Sequence, residues 1–366
     1  MKPWLLTLAL AERAVGLSDP NPRVGCLIVS ADGQAVLGEG HTQAAGGPHA
    51  EVMALRDAQA RGLDVRGATV YVTLEPCAHH GRTPPCCDAL VAAGVGRVEI
   101  AVGDPNPLVN GQGTARIAAA GIAVAHAPMD IAWRARELNI GFFARMERGR
   151  PWVRLKIAAS LDGRTALPNG ASQWITGADA RADGHAWRKR AGAVLTGIGT
   201  VRADDPSLDV RLVETARQPL RCVVDTRLET PPGARVFSQA SPVIVYTTST
   251  DAARRAALEE RGAEIVIVPG GASDRVDLAA VLDDLGARQV NEVHVEAGAR
   301  LNGALLQTGR VDELLLYLAP TLLGAGRDMA TLGAFDELAQ GLHYEFHDAQ
   351  RIGSDLRILA RNRART

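Results

Sequence analysis

The sequence predicts an α/β protein built as two domains, on three observations. Apolar runs of strand length alternate with helical patterns, which is how layered α/β sheets are written in sequence. At 366 residues the chain is longer than one ordinary domain. The pattern breaks at Glu147-Arg148-Gly149-Arg150-Pro151 and restarts with a new strand, so domains are expected over 1–148 and 149–366. Hydrophobic residues make up 46% of the chain, enough for a separate core in each half. No internal repeat relates the halves.

Composition narrows the function. Only 4% of residues are aromatic, which disfavours a partner that stacks single-stranded bases. A net charge of -1 offers no basic face for phosphate neutralisation on a duplex. Both argue against nucleic acid. The five cysteines, at 26, 77, 86, 87 and 222, are odd in number and scattered. They read as metal ligands and buried thiols of a cytoplasmic protein, not as a disulfide framework. No stretch is long and apolar enough to span a bilayer, so no membrane association is expected. The opening run 5–11 has a signal-peptide look, but Glu12 and Arg13 follow at once. Leu6, Leu10, Arg13 and Leu17 recur at helical spacing, and a first helix of the folded domain is the preferred reading.

In the first half, strands are expected over 24–29, 34–40, 69–74, 98–102 and 122–125, with Asp32-Gly33 as a hairpin turn. Helices are expected over 49–61, 86–93, 114–120 and 128–148, the first turning Val52, Ala54, Leu55 and Ala58 to the core. Asn21, fixed between two prolines, either reads a pyrimidine edge with its amide or is a turn asparagine. In the second half, strands are expected over 152–158, 193–196, 221–225, 242–246, 264–268, 292–296, 313–319 and 355–360. A helix is expected over 178–190, another opens after 298–303, and the tail 361–366 reads as frayed.

The stretch 48–86 concentrates the chemistry. His49, Cys77 and Cys86 offer one imidazole and two thiolates, a set that holds zinc and leaves a fourth position for water. Zinc lowers the pKa of such a water to about 7. Glu51 is the nearby group suited to carry its protons. His49 and Glu51, two apart, meet one metal only if His49 sits at a helix start, which Pro48 allows. In the second half, the glycines at 197–200 and 298–303 follow strands and open helices. Each gathers backbone N–H groups into an anion site or is simply a turn. Arg202 stands where a dinucleotide fingerprint needs its third glycine. Arg188 and Arg211 are either a phosphate clamp or solvated charges.

His-x-Glu followed by Pro-Cys resembles the signature of zinc nucleobase deaminases, although eight residues separate the two cysteines here where that signature has two. Pro20-Asn21-Pro22, His49-Ala50-Glu51-Val52, Thr73-Leu74-Glu75-Pro76-Cys77, His80-Gly81-Arg82-Thr83-Pro84-Pro85-Cys86 and Asp104-Pro105-Asn106-Pro107 resemble the deaminase domain of the bifunctional deaminase/reductase family of riboflavin biosynthesis. Lys156, Ser160-Leu161-Asp162-Gly163-Arg164, Trp174-Ile175-Thr176-Gly177, Gly199-Thr200-Val201, Ala203-Asp204-Asp205-Pro206 and Glu296-Ala297-Gly298 resemble its reductase domain. The resemblance covers nearly the whole chain. It implies a cytidine-deaminase-like three-layer α/β/α domain followed by a dihydrofolate-reductase-like α/β domain.

The same resemblance implies zinc on His49, Cys77 and Cys86, with Glu51 as proton shuttle and Cys87 a mere neighbour. It implies NADPH contacts at Ala158, Trp174, Thr200, Asp204, Gly298, Ala299, Arg300, Leu301, Asn302, Gly303 and Ala304. It implies substrate contacts at Ser172, Arg188, Leu208, Arg211 and Glu296. The substrates implied are phosphoribosyl pyrimidines, deaminated at the ring and then reduced at the ribose, with Lys156 or Asp204 helping to protonate. Thr42 departs from the family pattern, which has a histidine there. The protein is expected to be cytoplasmic and a homo-oligomer, a dimer.

Overall fold

The computed structural model describes residues 2–78, 84–107, 109–238, 241–270 and 274–363. The chain divides into two compact units, Met1–Gly149 and Arg150–Thr366.

The first unit runs α1 (Lys2–Glu12), β1 (Gly25–Val29), β2 (Val36–His41), α2 (Ala50–Ala60), β3 (Thr69–Val72), α3 (Cys86–Ala92), β4 (Arg97–Ile100), α4 (Gln112–Ala119), β5 (Ala123–His126), α5 (Met129–Leu138) and α6 (Ile140–Arg148). Its strands, among the described residues, form one sheet in the order β2-β1-β3-β4-β5. β1 is antiparallel to both neighbours, while β3, β4 and β5 are parallel. Alternation along the strands sends Cys26, Ile28, Val70, Val72, Val98 and Ile100 to one face, against Ala50, Ala54, Leu90 and Ile117 of α2, α3 and α4. Trp4 and Leu8 of α1 pack with Ile131 and Ala135 of α5 on the other. The result is an α/β/α sandwich.

Three expectations need correction in this unit. In α1 the buried residues are Trp4, Thr7, Leu8, Leu10 and Ala11, whereas Leu6 is 40% exposed and Arg13 and Leu17 lie beyond the helix end. The inner face of α2 is Ala50, Glu51, Ala54 and Ala58, with Leu55 only half-buried against it and Val52 outside it. Small residues are required there because β2 runs directly beneath; a Cβ on Gly40 would lie 2.2 Å from the Ala50 carbonyl. The helix expected over 128–148 is two helices. They break at Asn139, whose Oδ1 accepts the Arg23 N–H (2.7 Å) and whose Nδ2 donates to the Arg23 carbonyl (2.9 Å). That buried amide ties the helical layer to the segment entering β1.

The second unit contains β6 (Trp152–Ser160), β7 (Arg164–Ala166), α7 (Ala178–Arg190), β8 (Ala193–Gly197), α8 (Ile198–Asp204), β9 (Leu220–Val224), β10 (Val243–Thr247), α9 (Ala252–Glu259), β11 (Ala263–Ile267), α10 (Leu278–Ala287), β12 (Glu292–Glu296), α11 (Ala299–Gln307), β13 (Glu313–Ala319), β14 (Arg327–Asp328), β15 (Tyr344–Ile352) and β16 (Asp355–Asn362). Among the described residues the large sheet is ordered β11-β10-β9-β8-β12-β6-β13-β16-β15, and β7 pairs separately with β14. Every pairing from β11 to β13 is parallel; β16 and β15 add an antiparallel edge. α10 and α11 cover one face through Val281, Leu282, Leu285 and Leu305, and α8 and α9 cover the other through Val201 and Leu258.

The tail is a further correction. Arg361 and Asn362 are not frayed but belong to β16, paired with Glu313 and Tyr344, while 364–366 lie outside the described residues. The sequence reading also omitted α9, α10, β7, β14 and β15. Both helices carry the aspartate N-cap that could have marked them, at Asp251 and Asp277.

Candidate active sites

Each expected metal ligand stands at or just beyond the end of an element. β2 returns the chain across the sheet, and His49 caps the N-terminus of α2 in an extended conformation (φ −78°, ψ 170°). β3 delivers Cys77 beyond its carboxyl end, and Cys86 is the first residue of α3, after Pro85. His49 Nδ1 lies 3.2 Å from Cys86 Sγ and 3.6 Å from Cys77 Sγ, and the three ligand atoms fall within 4.8 Å of one another. Ligands around a tetrahedral zinc at the usual Zn–N and Zn–S lengths stand about 3.5–3.8 Å apart. The donor set and its spacing therefore fit zinc. The Cys86 backbone N–H donates to Cys77 Sγ (3.4 Å), so the start of α3 favours negative sulfur. Hydrogen bonding from Cys86, with help from His49, holds the Cys77 thiol well below its ordinary range.

Glu51 points inward from the first turn of α2 and is only 3% exposed. Burial, reinforced by the nearby Cys77 charge, raises its pKa to about 7. A carboxyl poised there both gives and takes a proton near neutral pH. Two residues before Cys77, Glu75 accepts backbone N–H groups from Gly111 and Thr114, each at 3.0 Å. The same region is packed to contact: a Cβ on Gly113 would lie 1.8 Å from the Pro76 carbonyl. Asp104 is buried, which raises its pKa to about 6. Thr42 is buried, and its hydroxyl accepts the Val24 N–H at 3.2 Å. Cys87 faces the core, beside the ligands rather than among them. Of the eight residues between the two cysteines, 79–83 lie outside the described residues.

In the second unit a cleft of about 1870 Å³ opens at the carboxyl ends of the parallel strands, where such sheets place their ligands. Ala158, Ser172, Trp174, Thr200, Asp204, Leu208, Arg211 and Glu296 all line it, with Lys156 and Arg188. Gly298, Ala299, Arg300, Leu301 and Ala304 line it too. Asn302 and Gly303 do not. Asn302 is buried and donates to the Met329 carbonyl (2.8 Å), and a Cβ on Gly303 would lie 1.9 Å from the Thr331 carbonyl. One side of α11 thus faces the cleft and the other packs on 329–331. Gly298 is the N-cap of α11 and makes no side-chain cap hydrogen bond, and the first-turn N–H groups of a helix have no intrahelical acceptor.

Arg188 grips Glu296 through two nitrogens, at 2.5 and 2.8 Å. Burial alone would raise the Glu296 pKa, but Arg188 brings it well below the ordinary carboxylate range. Burial lowers the Lys156 pKa and raises that of Asp204. Leu208, fully buried, sits in the left-handed region at φ 55°, a conformation that L-residues hold only where surroundings enforce it.

Residues 3–102 match the cytidine and deoxycytidylate deaminase zinc-binding region, and residues 151–358 match the RibD C-terminal domain. The riboflavin biosynthesis protein RibD of Escherichia coli is 44% identical over 362 residues, covering 95% of each chain. This chain belongs to the RibD family. The RibD protein of Aquifex aeolicus is 38% identical, with 96% of each chain covered. Among solved structures, Acinetobacter baumannii RibD superposes with a TM-score of 0.88 at 41% identity, covering 98% of both chains. A Thermotoga maritima diaminohydroxyphosphoribosylaminopyrimidine deaminase/5-amino-6-(5-phosphoribosylamino)uracil reductase superposes at 0.87 with 32% identity, covering 99% of this chain and 98% of that one.

As a RibD protein, the chain is a bifunctional enzyme of riboflavin biosynthesis, a zinc-dependent deaminase and an NADPH-dependent reductase. The cytidine-deaminase-like and reductase folds expected from sequence are the folds found. No described helix is long and apolar enough to cross a membrane. Sequence reasoning missed His185, Asp209 and Gln218, whose side chains hydrogen-bond Val210 and Arg211 at the edge of this RibD reductase cleft. Their signal is tertiary, as none stands in a motif.

Proposed function

We propose that the first unit deaminates 2,5-diamino-6-(5-phosphoribosylamino)pyrimidin-4(3H)-one and that the second reduces the resulting 5-amino-6-(5-phosphoribosylamino)uracil to its ribityl form. The observation that carries the first assignment is the approach of His49 Nδ1, Cys77 Sγ and Cys86 Sγ to within 4.8 Å, beside buried Glu51. His49, Cys77 and Cys86 would hold the zinc. When bound, zinc supplies an activated water and Lewis acidity at neutral pH. Glu51 takes the proton of the attacking water and returns it to the departing amine, so that ammonia leaves as a neutral molecule. The deaminase domain spans 1–148 and the reductase domain 149–366, close to the compact units.

In the reductase, the backbone N–H groups at the N-terminus of α11, on the wall of the cleft where Ala299 and Leu301 offer no polar side chain, would hold the phosphates of NADPH, which when bound supplies the hydride. Ala158, Trp174, Thr200 and Asp204 complete that wall. Ser172, Arg188, Leu208, Arg211 and Glu296 contact the pyrimidine substrate. Glu296 holds Arg188 through two nitrogens, whereas Asp209 meets Arg211 through Nη1 alone (2.6 Å); the Arg211 guanidinium, 48% exposed, is therefore the better reader of the substrate phosphate. Lys156 and Asp204 both line the cleft, and their opposite pKa shifts suit either to protonate the opening ribose. The protein acts in the cytoplasm as a homo-oligomer, without a nucleic-acid partner.

Following ammonia release and NADPH oxidation separately tests this. Chelation of zinc should stop both signals when the diaminopyrimidine is supplied and spare NADPH oxidation when the deaminated compound is supplied. NADPH loss from the diaminopyrimidine by zinc-free enzyme would overturn the assignment.

A further inference from the structure

The segment 208–211, which leads away from α8, carries two of the proposed substrate contacts and belongs to no helix or strand. Side chains satisfy its backbone instead. The Asp209 carbonyl accepts from Arg188 Nη1 at 2.8 Å. The Val210 N–H donates to Gln218 Oε1 (2.7 Å), and the Val210 carbonyl accepts from Gln218 Nε2 (2.8 Å). The Arg211 N–H donates to His185 Nδ1 at 3.2 Å. His185 is 5% exposed and stands one turn before Arg188 on α7. Arg188 and Arg211 reach the cleft, but His185 is not among the residues lining it.

We infer that His185 is a positioning residue for the reductase reaction. By accepting the Arg211 N–H it fixes 208–211 on α7, and so holds Arg211, whose Nη1 meets Asp209 Oδ1 at 2.6 Å, at the cleft where it would meet the substrate phosphate. This rests on the reading of Arg188 and Arg211 as substrate contacts. An accepting Nδ1 places the ring proton on Nε2 and requires the neutral imidazole. The surroundings enforce that state. Burial first, then the charges of Arg188 and Arg211, lower the His185 pKa to about 4 against the opposing pull of Glu296 and Asp209. A protonated ring would present a donor to a donor and a third cation to two arginines.

The test compares His185→Asn, His185→Gln and His185→Leu in the full-length enzyme. Asparagine puts its oxygen where Nδ1 stands; glutamine carries its polar end to the Nε2 position; leucine removes the acceptor. The KM for 5-amino-6-(5-phosphoribosylamino)uracil should rise about tenfold in the leucine and glutamine variants and stay near wild type in the asparagine variant. The KM for NADPH and the rate of ammonia release should not move. If the leucine variant does not fold, the asparagine–glutamine contrast still decides. Equal impairment of asparagine and glutamine variants, or a parallel rise in the KM for NADPH, would leave His185 a packing residue and overturn the inference. Arg211→Ala is the control on the underlying reading. An unchanged substrate KM there overturns the phosphate contact and the inference with it. A raised KM there with none in His185→Leu overturns the inference alone.

Discussion

Glu51 combines two demands on one side chain, burial in the first turn of α2 and a proton affinity near neutrality. Glu51→Gln keeps the shape and hydrogen-bonding reach of the residue and removes its proton. The variant should retain one zinc per chain by metal analysis and lose ammonia release by about 10²–10⁴-fold. Substantial deamination by that variant would place the proton shuttle on another residue. His49, Glu51, Cys77 and Cys86 were legible in the sequence because metal chemistry restricts their types and local motifs fix their order. Glu75 and His185 were not legible as supports. Glu75 acts on backbone 36 and 39 positions further on, and His185 on backbone 26 positions further on, contacts that only the folded chain creates.

At the scale of elements, α11 offers a clean perturbation. A Cβ on Gly298 would meet only the Thr200 hydroxyl, at 4.0 Å, and the glycine has φ −82°, which any residue adopts. Gly298→Leu should therefore leave the fold intact and crowd the mouth of the proposed phosphate site. The expected outcome is a raised KM for NADPH with unchanged ammonia release; an unchanged KM would reduce the loop to a turn. Elements with strong apolar runs, such as β12 and β13, were read within a residue of their true ends. β15 was missed because Tyr344–Ile352 is largely polar and exposed, and its place is set by the backbone ladder to β16. The 128–148 helix was read as continuous because periodicity persists across Asn139; its break comes from a hydrogen bond to Arg23, 116 positions away.

For the molecule as a whole, two outcomes are expected. Fragments divided near Gly149 should each fold, since each unit has its own sheet and apolar core. The first should release ammonia without NADPH, and the second should reduce only the deaminated substrate. An N-terminal fragment that binds zinc but deaminates only after mixing with the other would instead mean a composite site. The second outcome concerns acid. In the second unit, buried Arg154 bonds to Glu292 (2.8 Å) and Glu313 (2.5 Å), and Arg361 bonds to Glu313. Burial pushes the Glu313 pKa up, but Arg154 and then Arg361 pull it lower still, so the net shift is downward from 4.5. A folded-state pKa below the unfolded one means stability that is complete above about pH 4.5 and is lost as pH falls through the folded value. Thermal melts of the second fragment should decline below that pH, and Glu313→Gln should flatten the decline. Removing the other partner by Arg154→Leu should cost about 3–5 kcal/mol at neutral pH, read by urea denaturation.

The strand order of the second unit also bears on how the protein is made. β6 is the first strand of that unit to leave the ribosome, yet both of its neighbours, β12 and β13, come roughly 140–160 positions later. β13 in turn waits for β16, which begins 36 positions after β13 ends. Until β12 and β13 have been made, the apolar β6 has neither edge paired, a state open to association between nascent chains. Translation stalled before β12 should therefore leave a protease-resistant first unit joined to a protease-sensitive, chaperone-bound remainder.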